Sequence, residues 1–314
     1  METRLLSSHD INPEKWDEFI FNSPQGCIYA TRWYLDIVCG DWSAIIVSDS
    51  DQWLSVFPLN LKKKLLVPYS LQPILTKYLG VFFHKKEFPN YFKESEWKKE
   101  VLKACISKIP SGLARFEYNF SPFFDYGLPF YWNEYTLRTQ YTYIIDLRLP
   151  LDQLFERFSS SVRNNIKKAR NKKFVFCKSE NPEDVVKIIE AKQKNGKKIM
   201  EEKYFPRIKK IFKEANSRGL SDLFVEKDGE QIISCLFLLY YKNICTNFVG
   251  MVHPEYRNTG VNSHILWTAL PDIQKRSEYF DFAGSMLEGV EAFNRQFDTL
   301  PMPYLNISKK RIFS

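Results

Sequence analysis

The tightest constraint on this chain is a turn. In LFVEKDGEQIISCLFLLYY, residues 223–241, Asp228-Gly229 divides two β-rich runs, and a two-residue Asp-Gly loop matches the twist of antiparallel strands. A hairpin is predicted there. ICTNFVGMV follows across Lys242-Asn243 as a third strand. Asn262 to Arg276 then carries Ile265, Leu266, Ala269, Leu270 and Ile273 at helical spacing, with Pro271 placed to kink the helix, and Tyr279 to Phe282 reads as a closing strand.

The first half repeats that order. Helices are predicted over Pro13 to Phe21 and around Thr31 to Val38, then SAIIVSDSDQWLSVFPLNL reads as a hairpin turned at Ser48-Asp49-Ser50-Asp51. A loop-rich stretch leads to a helix over Ser95 to Ile109 and a strand at 114–120. Between the halves, YTYIIDL at 141–147 alternates as a strand and LPLDQLFERF begins a helix. The pattern predicts an α/β protein with mixed sheets, built from two units of similar order, 1–142 and 143–314.

A length of 314 residues suits two domains, and 44% hydrophobic with 16% aromatic residues excludes a disordered chain. No run approaches the ~18 apolar residues of a membrane helix, and METRLLSSHDINPEKW has no apolar signal core, so a cytoplasmic protein without a membrane span is expected. The cysteines at 27, 39, 105, 177, 235 and 245 form no C-x-x-C pair and the four histidines show no ligand spacing, so no metal is assigned and the thiols are expected reduced.

The net charge of +8 is concentrated. Arg163 to Lys173 holds six basic residues and no acid, and Lys192 to Lys213 holds nine with only Glu201 and Glu202. Such patches attract phosphates. The first follows Ser159-Ser160-Ser161, any of which can cap a helix on which Val162, Ile166 and Ala169 form a packing stripe beside Arg163, Lys167 and Arg170.

YFDFAGSMLEGVEAFNRQFDTLPMPY, residues 279–304, runs an aromatic strand into a Gly-Ser turn. Phe280 and Phe282 share one strand face and Asp281 the other, while Gly284 and Ser285 offer backbone N–H groups and a hydroxyl without bulk. This stretch, SSSVRNNIKKARNKKFVF and LQPILTKYLGVFF together resemble the Fem-like branch of the GNAT N-acyltransferase superfamily, over nearly the whole chain.

The resemblance implies two tandem GNAT-like domains side by side, with the donor site in the second. It implies transfer of an acyl group from acyl-CoA such as acetyl-CoA, or from aminoacyl-tRNA, to an amine. Arg163, Asn164, Lys167 and Lys168 match the family's basic helix near bound substrates. Arg257, Asn258, Thr259, Gly260, Val261 and Asn262 fall where the superfamily holds the coenzyme A pyrophosphate, although only Gly260 remains of the glycine-rich form. Phe293-Asn294 stands where bridge-forming members carry F-K, with Arg295 next door, and Phe297-Asp298-Thr299 replaces F-G-A. No long heptad-bearing insertion is present, which disfavours a tRNA donor.

An alkylammonium must lose a proton before it attacks, and its pKa lies near ~10.4. Asp281 is the first candidate for that base. Ser285, Arg295 and backbone N–H groups near Gly284 can meet the oxyanion, and Tyr304 can protonate the leaving group. Positioning alone can supply ~7–11 kcal/mol, so no signature nucleophile is required and direct transfer is expected. The reading is an acyl-CoA-dependent N-acyltransferase acting on an amine of a cell-envelope precursor, an amino sugar or peptide stem. The alternatives are an aminoacyl-tRNA-dependent bridge transferase and a noncatalytic RNA- or phosphate-binding protein.

Overall fold

The computed structural model describes residues 1–194, 200–284 and 286–311. The chain forms two compact units, Met1–Gln140 joined by the segment from Pro303 onward, and Tyr141–Met302. The division thus falls two residues before the expected one, and the last strand lies in the first unit because it pairs there.

The first unit contains β1 (Glu2–Ser7), α1 (Pro13–Asn22), α2 (Arg32–Cys39), β2 (Ser43–Asp49), β3 (Gln52–Leu59), β4 (Leu61–Lys64), β5 (Val67–Leu71) and β6 (Phe82–Phe83). It continues with α3 (Tyr91–Ser107), β7 (Arg115–Asn119), α4 (Leu128–Trp132) and the start of β8 (Thr136–Asp146). One sheet has the order β1-β2-β3-β6. Its β2–β3 hairpin closes at Asp49 opposite Gln52, as the turn chemistry predicts. A second array begins β4-β5-β7 and continues into the C-terminal strand. Aromatic side chains make the core: Phe57 meets Phe116, Tyr118 and Phe120 edge-on, with ring centroids 5.5–6.0 Å apart.

The helix expected from Ser95 starts earlier, because Asn90 caps it by accepting from Lys93 N–H at 3.0 Å. The stretch expected to be loop-rich contains the β4–β5 hairpin, whose turn is Leu65-Leu66 and carries none of the usual turn formers.

The second unit contains the end of β8, α5 (Leu151–Arg157), α6 (Ser160–Arg170), β9 (Val175–Lys178), α7 (Glu183–Lys194), α8 (Phe205–Ser217), β10 (Ser221–Asp228) and β11 (Gln231–Tyr241). After it come β12 (Ile244–Val252), α9 (Val261–Gln274), β13 (Tyr279–Asp281) and α10 (Glu288–Asn294), and the chain ends in β14 (Leu300–Lys310). The sheet order here is β8-β13-β12-β11-β10-β9. Asp228 stands opposite Gln231, so the Asp-Gly hairpin forms as expected. The α9 helix passes through Pro271 and ends three residues later, at Gln274.

Ser159 is the cap of the basic helix, accepting from Val162 N–H at 3.2 Å. Val162, Ile166 and Ala169 are buried, the first two in a cluster with Ile265, Leu266 and Phe280. Lys167, Lys168 and Arg170 lie in the last turn, where they oppose the negative end of the helix dipole. The second basic run includes residues 195–199, which lie outside the described residues. All six cysteines are free thiols. Among the described residues no helix is long and apolar enough to cross a membrane.

Candidate active site

The second sheet opens where β12 and β13 part. They pair in parallel only from Ile244–Tyr279 to Thr246–Asp281, whereas β12 runs on to Val252. A bulge against β11, after Asn247, bends β12 at the same level. Beyond Thr246 the edge of β12 facing β13 is therefore a strand edge, able to take the amides of an extended ligand as an added strand would. At the far end of β12 the chain turns through residues 254–260 into the first turn of α9.

That turn depends on Gly260. Its φ is +87°, and a Cβ built there would lie 2.1 Å from the Asn165 carbonyl oxygen of α6. Lys168 Nζ donates to the Asn258 carbonyl at 2.6 Å, locking the same two elements together. The two groups of residues expected to bind substrate and donor are thus adjacent. Thr259 Oγ1 donates to Tyr256 O at 2.6 Å, and Val261 is fully buried. Arg257 and Asn258 are exposed, as are Asn164 and Lys167, and Arg163 and Asn262 are half-buried. Lys168 serves the loop, while Lys167 and Arg257 present charge to solvent.

At the other end of the opening, Asp281 is buried, with 4% of its surface exposed. Its Oδ1 accepts from Thr142 Oγ1 and, at 2.8 Å, from Ala283 N–H, so the carboxylate holds the turn that follows β13. Ala283 and Gly284 both have positive φ, +61° and +62°, and a Cβ at Gly284 would meet the Tyr141 carbonyl at 2.6 Å. Ser285 lies outside the described residues. Tyr304 lies in the first unit, where its hydroxyl donates to Gln140 Oε1 at 2.8 Å.

Three groups in this unit show their arrangement only in three dimensions. Tyr143 OH donates to Glu291 Oε1 at 3.4 Å, and Glu291 Oε2 lies 3.8 Å from Arg295 Nε. Burial and the neighbouring carboxylate raise the Tyr143 hydroxyl above its ordinary pKa. Asn294 is 3% exposed and its Nδ2 has no hydrogen-bond partner among the described residues, so a buried donor stands at the position of the family's lysine. Asp298, where the family carries glycine, keeps the left-handed conformation that glycine would adopt, at φ +54° and ψ +41°.

The third group is a dyad. His264 Nδ1, in the first turns of α9, bonds Glu226 Oε1 on β10, and Glu226 Oε2 has no partner among the described residues. Burial pushes the Glu226 carboxyl up, with the His264 bond opposing it. A raised pKa means that the folded chain keeps this proton over a pH window in which the unfolded chain has lost it. Stability from this group is therefore lost as pH rises from the ordinary carboxylate range through the raised value. Glu226→Gln is expected to flatten that part of the curve, read as melting temperatures between about pH 4 and about pH 8. An unchanged slope would assign the pH dependence to other groups.

Residues 156–295 match the family model described as an acetyltransferase (GNAT) domain. That matched stretch, less than half of the chain, is thus similar to a GNAT acetyltransferase domain, and the opening between β12 and β13 lies within it. FemX is similar in structure at 13% identity and a TM-score of 0.67, covering 97% of each chain. A tandem GNAT protein from the clavulanic acid biosynthesis pathway matches at 8% identity and a TM-score of 0.60, over 100% of both chains. The L-PGS of Bacillus licheniformis matches at 12% identity and a TM-score of 0.55, over 96% of this chain and 93% of the other. No curated protein matches by sequence. At these identities the likeness is one of fold, and over its whole length the chain has the Fem-like, tandem-GNAT fold.

Proposed function

We propose that the chain transfers an acyl group from acyl-CoA directly to an amine of a cell-envelope precursor, an amino sugar or peptide stem. The observation that carries this reading is the parting of β12 and β13 above a glycine turn and a helix N-terminus. The open strand edge suits the amides of a pantetheine arm, and the N–H groups at the start of α9 with Arg257 suit its phosphates. The acyl carbon then lies toward β13, near Tyr143, Glu291, Arg295 and Asn294. The amine nitrogen attacks the thioester carbon while Glu291 accepts its proton, and Asn294 Nδ2 or Arg295 donates to the oxyanion. The C–S bond then breaks, coenzyme A leaves as a thiolate that takes up that proton, and Asp281 keeps the turn in place. Placing Asp281 as the base itself is tested by Asp281→Asn, which retains an acceptor for Thr142 and Ala283. A loss of turnover with intact donor binding would return the role to Asp281.

The first unit holds a cavity of about 460 Å³ lined by Gln72, Thr76, Glu117, Asn119, Gln140 and Asn306 among others. Its amides suit a ligand rich in hydroxyl and amide groups, as an amino sugar or peptide is.

A second reading, with aminoacyl-tRNA as donor, draws on the exposed cations of α6 and on the fold shared with FemX. Calorimetric titration with acetyl-CoA separates the two. Binding is expected, and Arg257→Ala is expected to weaken it ~10-fold, the worth of one charge-assisted contact to phosphate. No heat at millimolar acetyl-CoA together with tight, salt-sensitive tRNA binding would overturn the acyl-CoA reading in favour of its rival.

A further inference from the structure

We infer that the tip of the β4–β5 hairpin docks on an anionic lipid surface, with Leu65 and Leu66 entering the headgroup region and the surrounding cations meeting phosphates. Lys64 stands opposite Val67, so Leu65 and Leu66 are the whole loop. Both have positive φ, +49° and +66°. A two-residue loop of this kind is comfortable for Asn-Gly and strained for leucine, whose Cβ crowds the backbone. Both side chains are also almost fully exposed, 90% for Leu65 and 91% for Leu66, and Val67 beside them is 42% exposed. Leucine here is unfavourable for the turn and useless to the core, so its gain lies outside the folded chain.

The surroundings select the partner. Lys63 and Lys64 are exposed on the strand leading to the loop. The adjoining strands bring two more cations level with it: Ala114 N–H donates to Pro68 O at 2.8 Å, Arg311 N–H donates to Ala114 O at 3.0 Å, and Lys310 stands opposite Arg115. Lys310 and Arg311 are exposed. Residues 108–116, which lead into that end of the sheet, contain no acid. Glu117, deeper in, is paired with Arg115. An apolar point flanked by cations matches a bilayer interface, where tails accept the point and anionic headgroups the cations. The base is fixed, since Lys62 Nζ donates to Cys39 O at 2.9 Å and to Asp41 O at 3.1 Å. This inference does not rest on the transferase reading.

The test is co-sedimentation of the full chain with vesicles of phosphatidylglycerol and phosphatidylcholine, against vesicles of phosphatidylcholine alone. The wild type is expected to bind the anionic vesicles in a salt-sensitive way. Leu65→Asn with Leu66→Gly is expected to weaken binding ~10-fold or more, the loss of two inserted side chains, while its melting temperature stays the same or rises because the turn relaxes. Lys63→Glu with Lys64→Glu is expected to remove the preference for phosphatidylglycerol. Equal binding to both vesicle types by the wild type, or vesicle binding by the leucine variant within about twofold of wild type, would overturn the inference. So would a wild-type oligomer that the leucine variant dissolves without any vesicle binding, which would assign the tip to a second copy of the chain.

Discussion

Gly260→Ala is expected to destabilise the second unit by ~2–5 kcal/mol and to abolish donor binding. Two costs add. An L-residue at φ +87° is strained by ~1–2 kcal/mol, and a Cβ at 2.1 Å from the Asn165 carbonyl forces α6 away from the turn at a cost of ~1–3 kcal/mol. Trimming a side chain cannot relieve the second cost, because the opposing atom is backbone. Movement of α6 would also break the Lys168–Asn258 bond. Urea denaturation and acetyl-CoA calorimetry on the same variant measure both effects. A variant as stable as wild type would mean that the loop and helix do not approach so closely.

Asp222→Ala should be the most damaging polar deletion outside the site. Asp222 is 3% exposed on β10; its Oδ2 accepts from Tyr240 OH at 2.7 Å and Arg276 Nη1 at 2.9 Å, and its Oδ1 forms an ion pair with Lys178 Nζ at 2.5 Å. Arg276 also stacks over Tyr240, its guanidinium carbon 3.8 Å from the ring centroid. Burial, more than any other cause, drives the Tyr240 hydroxyl well above its ordinary pKa, so it remains a donor. Removing the acceptor of a buried ion pair costs ~3–5 kcal/mol, but Lys178 and Arg276 are 54% and 35% exposed and regain water, which brings the expectation to ~2–4 kcal/mol. Asp222→Asn keeps an acceptor for Tyr240 and should lose about half as much. Chemical denaturation at constant pH checks both, and an alanine variant that loses under ~1 kcal/mol would show the cluster to be decorative.

What the sequence made legible follows the chemistry of turns. The β2–β3 and β10–β11 hairpins are announced by Ser, Asp and Gly at the residues that reverse the chain. The β4–β5 hairpin turns at two leucines and is silent for that reason. The C-terminal strand is masked by Pro301 and Pro303, residues that ordinarily argue against a strand. The α8 helix is masked by charge: its lysines alternate with the stripe of Phe205, Ile208, Ile211, Phe212 and Ala215 that packs inward.

The site divided in the same way. Residues 163–168 and 257–262 were legible as local patterns, one cationic and one a glycine turn. Their contact, through Lys168 and Gly260, joins segments far apart in the chain and has no local signature. The same holds for Glu226 with His264 and for Tyr143 with Glu291. Asn294 reads as a departure from the family's lysine. Its burial with an unpartnered amide appears only in three dimensions.

The membership of β14 in the first unit bears on how the chain is made. Residues 141–302 form a unit whose sequence is complete before Pro303 emerges from the ribosome, whereas the first unit, begun much earlier, still lacks the strand that pairs with β7 from Asn306 to Lys310. Through that interval Phe116 and Tyr118, buried in the finished molecule, belong to a nascent sheet with one side unfilled. The unit whose synthesis begins first is therefore the one whose sequence is completed last.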